Sequence, residues 1–213
     1  MVFKSDGVVH HPIGGGSEVF ETDIVRHLLA KVKKNKIKIS VGSQPDASLH
    51  FGTLTIFTLA FKVAKKIAET DKTKEVSVLF EVVDTAPSEI KEINGIRYQK
   101  SIQATGVLNK YMNQYLEILN YLKTKTGIDY EIRYQSEFNK QKEIYPIVKD
   151  IIKQRNKIKN ILDPKHGNLR IRIPCPQCGL ADKIGLKNKY DGDLLGCECP
   201  IHGEYEINLK GLL

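Results

Sequence analysis

Hydrophobic residues recur along the first half of the chain with two different periods, which predict alternating helices and strands. Apolar residues at intervals of three and four begin near Glu18, and this helix is expected to end in the basic run Lys31–Lys38. Ile37–Val41 alternates like a short strand, Leu49–Glu69 is typical of an apolar helix, and Val76–Val83 is rich in β-branched residues, like a buried parallel strand. The order strand, helix, strand predicts a βαβ unit.

The second half continues this alternation and then changes character. Gly106–Thr126 and Glu143–Leu162 are predicted helices, with a strand at Tyr130–Tyr134 between them. From Leu169 onward, the chain predicts only short strands and contains every cysteine. We therefore expect an α/β fold with a doubly wound parallel sheet, followed by a small β module.

These patterns also predict how the chain is divided. Residues before Glu18 end in Gly14-Gly15-Gly16-Ser17, which is typical of a mobile segment. We expect a flexible N-terminal arm at residues 1–17, an α/β domain at residues 18–168 and the β module at residues 169–213.

Composition adds two constraints. The chain carries 33 lysines and arginines against 25 acidic residues, which gives a formal net charge of +8. This surplus favours a polyanionic partner such as nucleic acid, and a solvated lysine-rich surface is the alternative.

The sequence has no run of about 20 apolar residues that would predict a membrane span. Lys4, Asp6 and two histidines follow Met1, where a signal peptide would be apolar. We therefore expect a cytoplasmic protein with no membrane partner.

All four cysteines lie between Cys175 and Cys199, which favours a metal site over a disulfide-stapled fold. Cys175 and Cys178 are separated by two residues, and Cys199 and His202 repeat this spacing. We expect these four side chains to bind a structural Zn²⁺ in a zinc ribbon, with Cys197 competing for the fourth position. A redox dithiol or an unmetallated pair is the alternative. Basic residues around this module are candidates to contact RNA or to form a solvated surface: Lys165, Arg170, Arg172, Lys183, Lys187 and Lys189.

The segment Val41–Leu54 joins the first predicted strand to the following helix. In an open α/β sheet, ligands bind beyond the carboxyl ends of strands, and a helix N-terminus offers unpaired N–H groups to a phosphate. His50 can donate a hydrogen bond to a phosphate oxygen, Gly52 leaves room for a flat adenine, and Thr53 adds a hydroxyl. The alternative is an ordinary histidine beside a helix-packing glycine.

The wider sequence Pro-Asp-Ala-Ser-Leu-His-Phe-Gly-Thr-Leu at Pro45–Leu54 resembles the signature Pro-Ser-Gly-x-x-His-Ile-Gly-His (or Asn) of class I aminoacyl-tRNA synthetases. Within that class the chain looks most similar to class I lysyl-tRNA synthetase, because the cysteine segment occupies the corresponding place. The resemblance extends from about Val19 to Leu209. Further stretches resemble that family in the same order along the chain: Val78–Asp84, Tyr111–Leu122 with Ile128–Tyr134, Gln135–Phe138 and Arg155–Leu162.

The resemblance implies the first half of a Rossmann-like nucleotide-binding fold and an ATP-dependent lysine–tRNA ligase. Such an enzyme joins an amino acid to ATP, which carries Mg²⁺, and passes the activated amino acid to tRNA. By this resemblance, the catalytic residues are His50 and Thr53. The implied ATP-binding residues are Pro45, His50, Gly52 and Thr53, and the implied substrate-binding residues are Gly42, Gln44 and Asp84.

Several positions depart from the family pattern. Asp46-Ala47 replaces Ser-Gly, Gly42-Ser43-Gln44 replaces Gly-x-Thr, and Val82–Ala86 keeps one carboxylate of an acidic strand motif. The chain ends at Leu213, before the family's second half with its Lys-Met-Ser-Lys-Ser loop. The alternative expectation is a non-catalytic nucleotide- or tRNA-binding paralogue, or a split-synthetase subunit whose missing half comes from a homo-oligomer or a partner chain. An adenylyltransferase acting on another substrate is a third hypothesis.

Overall fold

The computed structural model describes the chain from residue 22 to residue 212, with side chains described from residue 25 to residue 210. The arm expected at residues 1–17 lies outside the described residues. The helices are α1 (Thr22–Lys31), α2 (Phe51–Thr70), α3 (Ile102–Thr105), α4 (Val107–Thr126), α5 (Gln135–Phe138), α6 (Ile144–Lys153) and α7 (Arg155–Leu162), and a 3₁₀ turn lies at Leu209–Leu212. The strands are β1 (Lys36–Ser43), β2 (Glu75–Val82), β3 (Pro87–Ile93), β4 (Ile96–Ser101), β5 (Asp129–Tyr134), β6 (Ala181–Asp182), β7 (Lys189–Asp191), β8 (Leu194–Cys199) and β9 (Gly203–Asn208). Among the described helices, none is both long and apolar enough to cross a membrane.

The chain forms two compact units. The first unit is the chain up to Val82 together with Tyr111–Arg133, and the second unit is Val83–Lys110 together with Tyr134–Leu213. These bounds differ from the division expected between residues 168 and 169. The difference arises because β4 pairs with β6, and because Ile152 packs into the same apolar cluster as residues of the cysteine module.

A three-stranded sheet with the order β1-β2-β5 forms the centre of the first unit. β1 and β2 run parallel, with Ile39 opposite Val78 and Val41 opposite Phe80, and the 20-residue helix α2 connects them. Parallel neighbours require a crossover connection of this kind. The βαβ unit that the hydrophobic pattern predicts is therefore confirmed.

Helices cover the apolar face of this sheet. Ile37 and Ile39 of β1 line an apolar pocket with residues of α1 and α2. The ring of Phe80 in β2 packs against Phe57 of α2 with centroids 5.1 Å apart, and against Tyr115 of α4 with centroids 6.0 Å apart. Within the first unit, the core lies between this face and the three helices.

Alternate residues of the same strands form a polar face, as the pleat of a sheet requires. Glu81 accepts hydrogen bonds from the Ser40 hydroxyl and from Nε of Arg133 at 2.9 Å. Lys38 and Glu131 form an ion pair at 2.6 Å. The first unit is thus a mixed α/β layer structure, and the doubly wound Rossmann-like arrangement stays a prediction.

Antiparallel pairing dominates the second unit, which contains the sheets β3-β4-β6 and β7-β8-β9. The hairpin of β3 and β4 was not expected from the sequence. The helix expected at Glu143–Leu162 is interrupted at Gln154, so that α6 and α7 are separate helices. The buried apolar cluster of this unit consists of Ile152, Leu169, Leu195, Cys197 and Leu209.

Candidate functional site

Two tight turns in the second unit present metal-ligating side chains in pairs. In the first turn, the Gly179 N–H donates to the carbonyl of Cys175 at 2.8 Å. This return of the backbone places Gly179 in the left-handed region, with φ at 74°, where the absence of a Cβ avoids strain. In the second turn, Cys199 ends β8 opposite Gly203 of β9, and His202 lies between them. Each turn therefore holds two ligands close in space.

The turns bring the Sγ atoms of Cys175, Cys178 and Cys199 and a ring nitrogen of His202 within 4.8 Å of one another. Nδ1 of His202 lies 3.6 Å from Sγ of Cys175 and 3.6 Å from Sγ of Cys199, and the Sγ atoms of Cys178 and Cys199 are also 3.6 Å apart. Around a tetrahedral ion with Zn–S bonds of about 2.3 Å and a Zn–N bond of about 2.0 Å, neighbouring ligand atoms are about 3.5 to 3.8 Å apart. A disulfide requires about 2.05 Å. The cluster is compatible with a structural metal.

Local hydrogen bonds prepare one of these thiols for metal binding. Burial opposes the ionisation of Cys175, but backbone N–H groups of Gln177 and Cys178 and the side chains of Cys199 and His202 hydrogen-bond to its sulfur and lower the pKa to about 7. Burial raises the pKa of the Cys178 thiol. Because the thiolate is the form that binds metal, the hydrogen bonds to Cys175 favour metal binding.

Cys197, the competitor for the fourth position, is not a member of the cluster. Its side chain is buried among Ile152, Leu169 and Leu195, where burial raises its pKa to about 11. A buried neutral thiol of this kind behaves as a small hydrophobic residue. His202 therefore takes the position for which Cys197 was the alternative.

The predicted catalytic residues lie together at the N-terminus of α2 in the first unit. His50 precedes the helix in an extended conformation, and its carbonyl accepts the Leu54 N–H at 3.2 Å. Nε2 of the exposed His50 ring lies 3.2 Å from Oγ1 of Thr53, which is 7% exposed. The first N–H groups of a helix have no intrahelical acceptor and can bind an anion. The arrangement can therefore present an imidazole, a hydroxyl and backbone donors to one ligand.

The structure gives Gly52 a local reason to be glycine. A Cβ at this position would lie 3.1 Å from Cε1 and 3.2 Å from Nδ1 of the His50 ring. Such a contact is closer than ordinary packing, so a Cβ at Gly52 would shift the imidazole by a few tenths of an ångström. The expected role of Gly52 in admitting adenine stays a prediction.

The loop between β1 and α2 presents the other predicted ligand-binding positions. Gly42 lies opposite Glu81 in the sheet register and is exposed, as is Gln44, whereas Pro45 is buried. The Gln44 carbonyl accepts the Asp46 N–H at 2.9 Å, which makes a tight turn around Pro45. Gly42 and Gln44 are thus accessible to a ligand, and Pro45 shapes the loop from inside.

Asp84 belongs to the second unit and is 1% exposed. Its Oδ1 accepts the Ser136 N–H at 2.9 Å, and its Oδ2 accepts the Ser136 hydroxyl at 2.5 Å. The Asp84 carbonyl accepts the Gln103 N–H at 3.0 Å. Both carboxylate oxygens therefore have donors at the start of α5, and substrate binding by Asp84 stays a prediction.

Two residues of α4 that the sequence did not connect with this site contact the β1–α2 loop. Gln114 accepts a hydrogen bond from the Leu49 N–H, and the Tyr115 hydroxyl donates to the Gln44 carbonyl. The helical period places Tyr115 on the buried side of α4, but no local motif indicates where its hydroxyl would point.

Comparison with models of known protein families and with characterised proteins gives no match for this chain. The resemblance to class I synthetases therefore rests on the motifs in the sequence. What stands independently of it is a mixed α/β chain with a parallel strand pair and a Cys/His cluster that can hold a metal.

Proposed function

We propose that the Cys/His cluster binds Zn²⁺ and that the ion is structural. Three sulfurs and one imidazole nitrogen are the donor set that zinc prefers, and their spacing fits a tetrahedral ion. Cys175, Cys178, Cys199 and His202 would fill all four positions, which leaves no site for a reactive water. The ion would hold the two turns of the second unit together.

The test is the metal content of the purified chain, measured by inductively coupled plasma mass spectrometry. We expect about one zinc per chain in the wild type and in the Cys197→Ala control, and a strong loss of zinc in Cys178→Ala and His202→Ala. Far-UV circular dichroism checks that Cys197→Ala is folded. Zinc loss in a folded Cys197→Ala protein equal to that in Cys178→Ala would contradict the assignment, as would a wild type without zinc.

We further propose that the first unit binds ATP at the β1–α2 junction and that the chain acts in the amino-acid activation step of a class I lysyl-tRNA synthetase. The observation that carries this proposal is the His50–Thr53 pair at the N-terminus of α2, the helix that follows the parallel strand β1 after the loop Gln44–His50. The N–H groups of α2 would bind a phosphate, and His50 would donate to the α-phosphate oxygen on which charge develops. Gly42 and Gln44 would border the amino acid. Mg²⁺ would arrive with ATP.

We propose tRNA as the macromolecular partner and the cytoplasm as the location, which the net charge of +8 and the clustered cysteines support. Half of the basic residues near the metal cluster form ion pairs within the second unit: Arg170 with Asp163, Lys187 with Glu198, and Lys189 with Glu204. Lys165, Arg172 and Lys183 are therefore the better candidates to contact an RNA phosphate. Sedimentation at working concentration tests whether the chain also self-associates, and a monomer would contradict that expectation.

A second candidate is a non-catalytic nucleotide- or tRNA-binding paralogue. The environment of Asp84 favours it, because the one carboxylate kept from the acidic strand motif is buried and already bonded to Ser136. A lysine ammonium could reach this carboxylate only if the packing that buries Asp84 opened.

Amino-acid-dependent exchange of pyrophosphate into ATP separates the two candidates. We expect exchange with lysine that falls about 100-fold in His50→Ala. His27→Ala, which changes an exposed histidine of α1, is the matched control and should keep full exchange. ATP binding without exchange for any amino acid would favour the non-catalytic paralogue. Absence of both from a folded, zinc-loaded chain would contradict the nucleotide site.

A further inference from the structure

Helix α4 contacts both ends of the β1–α2 loop, defined here as Gln44–His50. Near the end of the loop, the Leu49 N–H donates to Oε1 of Gln114 at 3.3 Å. At its start, the Tyr115 hydroxyl donates to the Gln44 carbonyl at 3.4 Å. Two adjacent residues of one helix therefore hold the segment that precedes α2.

The Tyr115 hydroxyl is an anchored donor. Its side chain is 3% exposed, and its ring stacks on Phe80 with an interplanar angle of 7°. Phe57 packs edge-on against the same ring, with centroids 6.0 Å apart. Burial raises the pKa of Tyr115, so the hydroxyl keeps its proton at neutral pH. Because Phe80 belongs to β2, the sheet fixes the position of this hydroxyl.

The carbonyl that Tyr115 contacts also closes the tight turn around Pro45, since it accepts the Asp46 N–H at 2.9 Å. Holding this carbonyl therefore holds the direction in which the loop leaves β1. We propose that Gln114 and Tyr115 are positioning residues, which keep the loop in the conformation that presents Gln44 and His50 to a nucleotide. This inference rests on the proposed nucleotide site for its ligand, but the restraint on the loop can be measured without ATP.

Hydrogen exchange of the loop amides, followed by mass spectrometry, tests the restraint. We expect Tyr115→Phe and Gln114→Ala each to increase exchange in Gln44–His50 about fivefold, and more in the double variant. Gln114→Ala removes the bond to the Leu49 N–H, and Tyr115→Phe removes the bonds of its hydroxyl to the Gln44 carbonyl and the Ser43 side chain. Exchange in β2 should stay unchanged. Tyr121→Phe and Asn113→Ala, on exposed positions of α4, are the matched controls.

Unchanged loop exchange in the double variant, or an equal increase in β2, would overturn the proposal. In ATP titrations we expect the double variant to bind about tenfold more weakly than the wild type and the controls. A wild type that binds no ATP would contradict the proposed function and remove the ligand from this inference. A double variant with faster loop exchange but wild-type ATP affinity would overturn the positioning role.

Discussion

At the scale of single residues, two buried carboxylates, those of Asp84 and Asp163, accept hydrogen bonds in different ways. Asp84 and Asp163 are each 1% exposed. Both carboxylate oxygens of Asp84 accept hydrogen bonds from Ser136. In Asp163, Oδ1 contacts the His166 ring and accepts a hydrogen bond from the Arg170 guanidinium, whereas Oδ2 has no hydrogen-bond partner among the described residues. A buried carboxylate without partners would be strongly destabilising, so each set of donors is required by the burial itself.

We predict that Asp84→Asn lowers the free energy of unfolding by about 1–3 kcal/mol, because one donor of Ser136 would face an amide N–H₂ in a buried site. Urea unfolding measures this change. Asp46→Asn, at an exposed position, is the control and should stay within about 0.5 kcal/mol of the wild type. When Ser136 is already alanine, Asp84→Asn should lower the free energy of unfolding by less. If Asp84→Asn in the wild type lowers it no more than Asp46→Asn does, the Ser136 contacts do not stabilise the fold.

We predict that Asp163 makes the free energy of unfolding decrease in acid. Hydrogen bonds from Arg170 and then His166 lower its pKa from the ordinary 3.8 to about 2. Asp163 therefore binds its proton more tightly in the unfolded chain than in the folded chain. Its ionised carboxylate stabilises the fold fully above about pH 4, and this stabilisation is lost as the pH falls toward 2. Asp163→Asn should flatten this part of the stability curve in urea unfolding between pH 2 and pH 6.

The control for Asp163 is Glu117→Gln, which changes an exposed carboxylate. Acid also protonates the metal ligands, and this effect is common to all three proteins only while the second unit is folded, so circular dichroism before the addition of urea checks the fold at each pH. A wild-type curve that parallels Asp163→Asn over the whole range would contradict the prediction.

Contacts between residues close together in the sequence could be predicted, whereas contacts between distant residues could not. The metal cluster was predictable because each pair of ligands is at most three residues apart, so one turn brings both together. The contact of Asp84 with Ser136 joins residues 52 positions apart, and no short motif records it. For the same reason the sequence could not choose between Cys197 and His202, since the choice depends on packing against Ile152.

At the scale of elements, the strongly periodic segments were predicted well and the hairpin of β3 and β4 was missed. Its strands have exposed charged residues such as Glu89, Lys91 and Glu92, which hide the alternation that identifies a strand. The signal that was available is Asn94-Gly95, because both residues have positive φ, 50° and 75°. A two-residue turn with two positive φ values matches the twist of a hairpin, and Asn-Gly is its preferred sequence.

We predict that Gly95→Ala lowers the free energy of unfolding by about 1–2 kcal/mol, the cost of a left-handed conformation for a residue with a Cβ. Nothing lies within 4 Å of that Cβ, so the effect would come from the backbone alone. Gly95→Asn is the informative control, because asparagine tolerates the left-handed conformation, and this variant should lose less free energy of unfolding than Gly95→Ala. Equal losses in thermal and urea unfolding would contradict a backbone origin.

The division between α6 and α7 illustrates a second limit of the pattern. Apolar residues continue at helical spacing across Gln154, and the chain has neither proline nor glycine there. The break is marked only in the structure, where Gln154 has φ at −91° and ψ at 15° and the Arg155 guanidinium donates to the Ile152 carbonyl. A side chain that bonds the last carbonyls of a helix stabilises its end without changing the hydrophobic period.

At the scale of the whole molecule, the two units are stabilised by different means. The first unit has an aromatic core in which Phe57, Phe80 and Tyr115 pack against one another. The second unit has a small aliphatic cluster and short strands, so a metal would supply much of its stability. The expected boundary at residue 168 differed from these units because helix α6 precedes the cysteines in sequence but packs on their cluster through Ile152.

We predict that removal of zinc by a chelator unfolds the metal-binding part of the second unit. Structural zinc contributes roughly 10 kcal/mol or more to small modules, which exceeds what the aliphatic cluster of Leu169, Leu195 and Leu209 can replace. Amides of β8 and β9 should lose their protection from hydrogen exchange, whereas those of β1 and β2 should keep it, because the aromatic core of the first unit contains none of the ligands. Added zinc should restore β8 and β9 in the wild type but not in Cys178→Ala. Protection of β8 that survives chelation would show that the cluster is folded without a metal, and the four ligands would then have to be explained by redox or packing instead.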